Sequence, residues 1–253
     1  MADDANAARK ADYGFDAGYL LPIAGIVCTA LLLISAALRM RPQLVAASVA
    51  LCILATALHT SRRGKFLVWE ELLDGLHLRG DERVLDLGCG RGAVLLAAAK
   101  RLTNGRGIGV DIWSRSDQSG NSVAATRRNA EAEQVSERIA PLTADMMALP
   151  FFSDTFEVVV SSVAIHNIKG QHGRARAIDE AVRVLRPGGR LLVADLANTG
   201  AYSRRLVELG MAAIGRRSLG WRMWWGGPWR ATYLVTATKP ERWGAHATGT
   251  HST

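Results

Sequence analysis

Two short stretches hold residues whose types and spacing could do chemistry. The first, Val84-Leu85-Asp86-Leu87-Gly88-Cys89-Gly90-Arg91-Gly92, ends an apolar strand on a carboxylate and runs straight into a glycine-rich turn. Glycines there let the backbone turn tightly and approach a ligand where a Cβ would intrude, and a helix over about 93–102 would aim its N-terminal N–H groups at the same spot. That arrangement suits a nucleoside-bearing ligand, although a tight strand-to-helix turn without a ligand would use the same glycines. The second stretch, Ser161-Ser162-Val163-Ala164-Ile165-His166-Asn167, follows another apolar run. His166 is a candidate general base, because an imidazole, with an ordinary pKa near ~6.5, can take a proton from a phenol or hydroxyl as that group becomes a nucleophile. Bracing the loop is the alternative role for His166 and Asn167. The three cysteines, Cys28, Cys52 and Cys89, show no metal-ligand spacing, and no metal site is expected.

The elements that must position these residues read as alternating strands and helices. Val158-Val159-Val160 and Leu191-Leu192-Val193 are continuous apolar runs bounded by polar or glycine residues, as strands buried on both faces of a parallel sheet should be. Between them Ala177, Ile178, Ala181, Val182 and Leu185 recur at helical spacing. Such alternation predicts an α/β doubly wound, Rossmann-like sheet with ligands at the carboxyl ends of its strands, where Asp86, Asp111 and Asp145 all fall. The glycines alone leave the ligand open. Gly88-x-Gly90-x-x-Ala93, with Asp111 near the ~20-residue distance of a ribose-binding acid, also fits a dinucleotide fingerprint.

The order of the landmarks from about Arg83 to Lys239 resembles the class I S-adenosylmethionine-dependent methyltransferases. The acid-first glycine loop looks like their first motif, Gly107-Ile108-Gly109-Val110-Asp111-Ile112 like their second strand, and Ala144-Asp145-Met146 like the end of their third. Phe156 to Ser162 looks like the fourth strand, and Leu185-Arg186-Pro187-Gly188-Gly189-Arg190 to Asp195 like the Pro-Gly-Gly turn into the fifth. The resemblance implies a seven-stranded mixed sheet whose last strand, about Thr232 to Thr238, is antiparallel, and S-adenosyl-L-methionine as cofactor. Carried onto this sequence, the cofactor-binding set is Asp86, Gly88, Cys89, Gly90, Asp111, Ile112, Trp113, Asp145, Met146 and Ser161. Asp111 would face the ribose, Asp145 the adenine amine and Trp113 the adenine ring. His166 and Asn167 are the candidate catalytic pair. Asp117, Gln118 and Asn121, in the polar loop after Asp111, would cap the next helix or close over the cofactor. Family members that methylate exocyclic amines of bases carry Asp or Asn followed by Pro-Pro and an aromatic residue after strand four. This chain does not, which weighs against a nucleic-acid amine as acceptor.

The remaining length lies mainly before the domain. Residues 1–17 read as a polar tail, 18–60 as a hydrophobic helical hairpin, 61–82 as an amphipathic lid helix with its linker, 83–243 as the S-adenosylmethionine-binding domain and 244–253 as a disordered tail. Gly18 to Leu38 carries no charge over 21 residues, long enough to cross a bilayer core. Gln43 to Leu58, also uncharged, would reach only about 24 Å as a helix. Net charge is +8, and the 200–243 segment interleaves arginines with Trp221, Trp224, Trp225, Trp229 and Trp243. That mixture suits an anionic membrane surface, an aromatic pocket or RNA. Together these features predict a transmembrane-anchored enzyme, its catalytic domain in the cytoplasm, that methylates a small lipophilic acceptor. A noncatalytic membrane scaffold, an NAD-dependent oxidoreductase and an RNA methyltransferase are the rival readings.

Overall fold

The computed structural model describes residues 11–14, 29–30, 33, 42–114 and 117–241. Its strands are β1 (Arg83–Leu87), β2 (Arg106–Asp111), β3 (Ile139–Thr143), β4 (Phe156–Ser162), β5 (Leu185–Asp195), β6 (Ala212–Ser218) and β7 (Tyr233–Thr238). Its α-helices are α1 (Pro42–His59), α2 (Lys65–Asp74), α3 (Ala93–Ala99), α4 (Val123–Ala132), α5 (Gln171–Val184) and α6 (Thr199–Glu208). All seven strands join one sheet in the order β3-β2-β1-β4-β5-β7-β6. Strands β1 to β5 pair in parallel, and β7 runs antiparallel to both β5 and β6. Having reached the edge at β3, the chain returns to lay β4 beside β1, so the winding reverses between those two strands. A crevice opens at their carboxyl ends.

Alternate residues of each central strand enter opposite cores, which is why the strands read as unbroken apolar runs. Leu85, Leu87, Val159, Leu191 and Val193 pack against Ala177, Ile178 and Ala181 of α5 and Tyr202 and Leu206 of α6. Val84, Val158, Val160, Leu192 and Ala194 pack the other way, against Val68, Trp69 and Leu73 of α2 and Val94, Ala97 and Ala98 of α3. Each such Val or Leu contributes about 1.5–3 kcal/mol by leaving water. The Pro-Gly-Gly turn bulges from the sheet: Phe156 pairs with Leu185, but the next partner of β4 is Arg190. Sequence patterning did not anticipate β6, because Ala-Ala-Ile-Gly-Arg-Arg-Ser lacks a period-two apolar pattern. It is a mostly exposed edge strand with an irregularity between Ala212 and Gly215.

The N-terminal region departs from the expected organisation. Helix α1, a π-helical turn at Thr60–Gly64 and α2 follow one another without a break, so the second apolar run continues into the lid helix as one rod. This rod presses closely on the 221–226 segment: a Cβ on Gly64 would stand 1.9 Å from the Arg222 carbonyl oxygen. Thr60 Oγ1 donates to the Trp224 carbonyl at 2.7 Å, and His59 stacks on Trp221 with ring centroids 4.8 Å apart. Among the described residues no helix is long and apolar enough to cross a membrane. Residues 18–38, the expected first arm of the hairpin, lie outside the described residues except for 29, 30 and 33. Nor are residues 11–14 merely part of a tail. Asp12 exchanges two hydrogen bonds with the Asn129 side chain, both 2.9 Å, and Tyr13 packs on Phe66 while its hydroxyl donates to Glu133.

Candidate active site

A cavity of about 670 Å³ occupies the crevice between β1 and β4 and is roofed by α2. Strand β1 delivers Asp86 into it at 1% exposure. The Asp86 Oδ1 atom is buried with no hydrogen-bond partner among the described residues. Burial first, and the neighbouring Asp111 carboxylate second, push its pKa up to about 7. A buried carboxylate with one oxygen left without a partner is poised to receive a cationic group or a hydrogen-bond donor there. The turn that follows brings the backbone close to the opposite wall. Gly88 has φ of 72°, and a Cβ there would fall 2.3 Å from the Ala164 Cβ. Only glycine fits that position without moving the loop that carries His166.

Asp111, at the end of β2, organises the turn as well as facing the cavity. Its Oδ2 accepts from Gly90 N at 2.8 Å and its Oδ1 from Trp113 N at 2.6 Å and Asn121 Nδ2 at 3.3 Å. Burial raises its pKa, and those three donors oppose the rise. Each carboxylate oxygen offers two lone-pair sites, so the group retains capacity to accept from a diol. Asp145 and Met146, after β3, line the same cavity, as do Gly88, Cys89, Gly90 and Ile112. Burial pushes the Cys89 thiol well up, which leaves it a packing group rather than a nucleophile.

The structure places several of the expected residues differently. Ser161 does not face the cavity: it is fully buried, its hydroxyl donates to the Leu87 carbonyl at 2.9 Å, and Ser162 lines the wall instead. Trp113 lies beside the cavity rather than on it, with its indole N–H donated to Thr143 Oγ1 at 2.8 Å. The cap of α4 is Ser122, whose hydroxyl accepts from Ala125 N; none of Asp117, Gln118 and Asn121 does this. All three line the cavity instead. Gln118 Oε1 accepts from Arg91 N at 2.8 Å, and Asn121 holds Asp111.

His166 and Asn167 both line the cavity across from the glycine turn. Val163, just upstream, has φ of 53°, a costly conformation for a β-branched residue, worth about 1–3 kcal/mol. The loop it forms hangs on Asp195, a fully buried carboxylate at the end of β5. Asp195 Oδ1 lies 2.5 Å from His166 Nδ1 and accepts from Leu196 N at 2.8 Å. Its Oδ2 accepts from His166 N at 3.0 Å and from the Tyr202 hydroxyl at 3.2 Å. Four donors thus fill the roughly four sites a carboxylate offers. With Nδ1–H donated to Asp195, the lone pair of the His166 ring is on Nε2, the nitrogen free to act as a base. Sequence reasoning assigned no role to Asp195 or Tyr202. The signal was there for the first, since Asp195 ends a buried strand just as Asp86 and Asp111 do.

The cavity lining is also aromatic. Trp69 is 2% exposed and donates its indole N–H to Ser162 Oγ at 2.8 Å; Trp225 is 3% exposed and donates to Thr232 Oγ1 at 3.1 Å. Both line the cavity. Of the other tryptophans in the basic segment, Trp221 and Trp229 are exposed.

The comparisons with known proteins agree with this architecture. A family model for a methyltransferase domain matches residues 84–189. A ubiquinone/menaquinone biosynthesis C-methyltransferase of Ruegeria sp. (strain TM1040) is 35% identical over 131 residues, 51% of this chain and 49% of that protein. A 27-O-demethylrifamycin SV methyltransferase of Amycolatopsis mediterranei is 31% identical over 158 residues, 59% of this chain and 54% of that one. The chain therefore spans about half the length of the curated relatives it matches. Among solved structures, geranyl diphosphate methyltransferase in complex with S-adenosylmethionine superposes with a TM-score of 0.54 at 17% identity, covering 69% of this chain and 85% of that one. The [4+2]-cyclase SpnF does so with a TM-score of 0.54 at 20% identity, covering 68% and 81%. A cyclase on the same fold shows that the fold by itself does not fix the reaction. The unpartnered Asp86 oxygen, the Gly88 approach and the Asp111 and Asp145 carboxylates fit the methyl donor's cationic and nucleoside parts. Residues 84–189 thus match a methyltransferase domain, on a fold shared with a methyltransferase solved with S-adenosylmethionine bound.

Proposed function

We propose that the protein methylates a small lipophilic acceptor bound against Trp69 and Trp225, with His166 as the general base. The observation that carries this reading is the Asp195-held imidazole, which shares one cavity with the Asp86, Asp111 and Asp145 carboxylates. The cofactor, when bound, supplies an electrophilic methyl group on a sulfonium. Asp111 and Asp145 hold its nucleoside, Asp86 faces its cationic part, and the Gly88 turn lets the backbone approach it. His166 Nε2 takes the proton from the acceptor's nucleophilic oxygen, carbon or nitrogen, while Asp195 and Tyr202 hold the ring in place. Trp69, Trp225 and Phe66 exclude water and align the acceptor. Alignment alone is worth up to ~7–11 kcal/mol in favourable cases.

The same reading places the protein at a membrane, with its catalytic domain on the cytoplasmic side where the cofactor is made. Support comes from the uncharged runs at 18–38 and 43–58, and from Leu33, Val49 and Leu51, which are 66%, 51% and 66% exposed. Exposed apolar surface of that kind calls for a covering partner.

The test is transfer of labelled methyl from the cofactor by the full chain, with phenolic and quinol acceptors presented in vesicles and with RNA as the competing acceptor. Label extracted with the lipophilic acceptor, and lost in Asp111→Ala and His166→Asn, is the expected result. Label on RNA would overturn the acceptor assignment, and full activity in His166→Asn would overturn the base.

A further inference from the structure

The charged groups lining the cavity are sorted by the sheet. Its lining carboxylates, Asp86, Asp111, Asp117 and Asp145, come from the ends of β1, β2 and β3 or the loop after β2. Its cations, Lys65, Lys169 and Arg230, come from α2, from the segment after β4 and from the connection between β6 and β7. The division falls at the reversal of winding between β1 and β4. On the β4 side Asp195 is fully buried and given over to His166, Leu196 and Tyr202.

The acidic half matches the cation of the methyl donor. The basic half has no such match in a neutral acceptor. Lys65 is 6% exposed and sits one turn before Trp69 on α2; Arg230 lies five residues after Trp225. Two cationic side chains therefore share the cavity lining with the two tryptophans against which the acceptor would lie. Neither Arg230 nor Lys169 has an ion-pair partner among the described residues. Arginine and lysine placed around an apolar pocket recognise an oxyanion, the first by two parallel N–H bonds and the second as a point charge.

We infer that the acceptor carries an anionic oxyanion group, a carboxylate or a phosphate, on its apolar body, and that Arg230 and Lys169 read it together with Lys65. This inference rests on the methyltransferase reading of the same cavity. It makes the acceptor an acid-bearing amphiphile, a phenol or quinol included, rather than a wholly neutral molecule. The anion is held at the rim, and the apolar body reaches inward along Trp69 and Trp225 toward His166.

The experiment uses the full chain saturated with S-adenosylhomocysteine and follows binding of paired probes by calorimetry: decanoate against decanamide, and decyl phosphate against decanol. One or both anions should bind about tenfold more tightly than their neutral twins at low salt, as charge-assisted hydrogen bonds at a partly exposed site allow. The carboxylate and phosphate pairs identify which oxyanion is preferred. Arg230→Gln and Lys169→Gln should each cut the preference several-fold and leave S-adenosylhomocysteine affinity unchanged, whereas Arg204→Gln, on the surface of α6 outside the cavity, should leave both unchanged. Equal binding of anionic and neutral probes would overturn the inference, as would an equal loss of preference in Arg204→Gln. Weakened S-adenosylhomocysteine binding with an intact anion preference would assign the cations to the cofactor's own carboxylate and also overturn it. Failure of the wild type to bind S-adenosylhomocysteine would be a different result, because it removes the methyltransferase reading beneath.

Discussion

Replacing Asp86 by Asn should make the cofactor-free protein more stable and the cofactor-bound protein scarcer. The folded state raises this carboxyl from an ordinary 3.8 to about 7. Between those values the folded chain holds a proton that the unfolded chain has released, so stability falls as pH rises through the interval and is flat above it. At about 1.4 kcal/mol per pH unit, the interval caps the effect at ~4 kcal/mol, and the part lying between pH 5 and pH 8 is about 2–3 kcal/mol. Asn keeps the shape and never ionises. The wild type should therefore lose about 5–10 °C of melting temperature relative to Asp86→Asn on going from pH 5 to pH 8, at 2–4 °C per kcal/mol for a chain of this size. Other groups titrate in both proteins, so the quantity to read is the difference between the two melting curves at the two pH values. In the wild type, saturating S-adenosylhomocysteine should restore about 2.7 kcal/mol at a hundredfold excess over Kd. Asp86→Asn should gain much less. S-adenosylmethionine affinity in the wild type should climb as pH rises through 7, because a cationic ligand favours the ionised carboxyl. Two results would refute the reasoning: an Asn variant with the same pH dependence as wild type, or one with undiminished affinity for the cofactor.

Three further outcomes can be checked on single variants. Asp195→Asn should lower kcat by about 10²–10⁴ with cofactor affinity unchanged; an undiminished kcat would dismiss the base. Gly88→Ala drives a Cβ to within 2.3 Å of Ala164 in a left-handed conformation, so it should cost about 1–3 kcal/mol in thermal stability and reduce cofactor affinity measured by calorimetry. Lys239 Nζ, 2% exposed, donates to Asp154 at 2.7 Å and to the carbonyls of Val182 and Leu185 at 2.9 and 2.6 Å. Lys239→Met should destabilise the fold by about 1–3 kcal/mol in denaturant melts, since the two buried carbonyls lose their donor while the half-exposed Asp154 stays in water.

The sheet was legible because its strands obey a local rule: buried on both faces, they are apolar throughout, and their carboxyl ends carry the acids. The first motif, the second strand and the Pro-Gly-Gly turn all stand where the sequence places them. Strand β6 escaped notice because an exposed edge needs no apolar alternation. The His166–Asp195 pair was half legible. His166 announces itself as an imidazole after a strand, whereas its partner Asp195 lies 29 residues away and is joined to it only by the parallel pairing of β4 with β5. Ser161 was misjudged by one position, and in a strand one position exchanges the two faces. The cations at Lys65 and Arg230 were visible as charges, but only the packing of α2 and the 221–231 segment over the crevice makes them neighbours of the site.

The rod running from Pro42 to Asp74 gives the site a mechanical coordinate. Its far end is apolar and exposed, its near end carries Lys65, Phe66 and Trp69 in the cavity wall, and the π-helical turn at Thr60–Gly64 sets the phase between them. Each residue of an α-helix turns the chain by about 100°. Deleting one residue within that turn would rotate one end against the other by roughly that angle, swinging either the Trp69 indole away from Ser162 or the exposed Val49 and Leu51 away from whatever covers them. The direction in which the exposed apolar end faces and the shape of the cavity wall are thus one degree of freedom, written in the length of a five-residue turn.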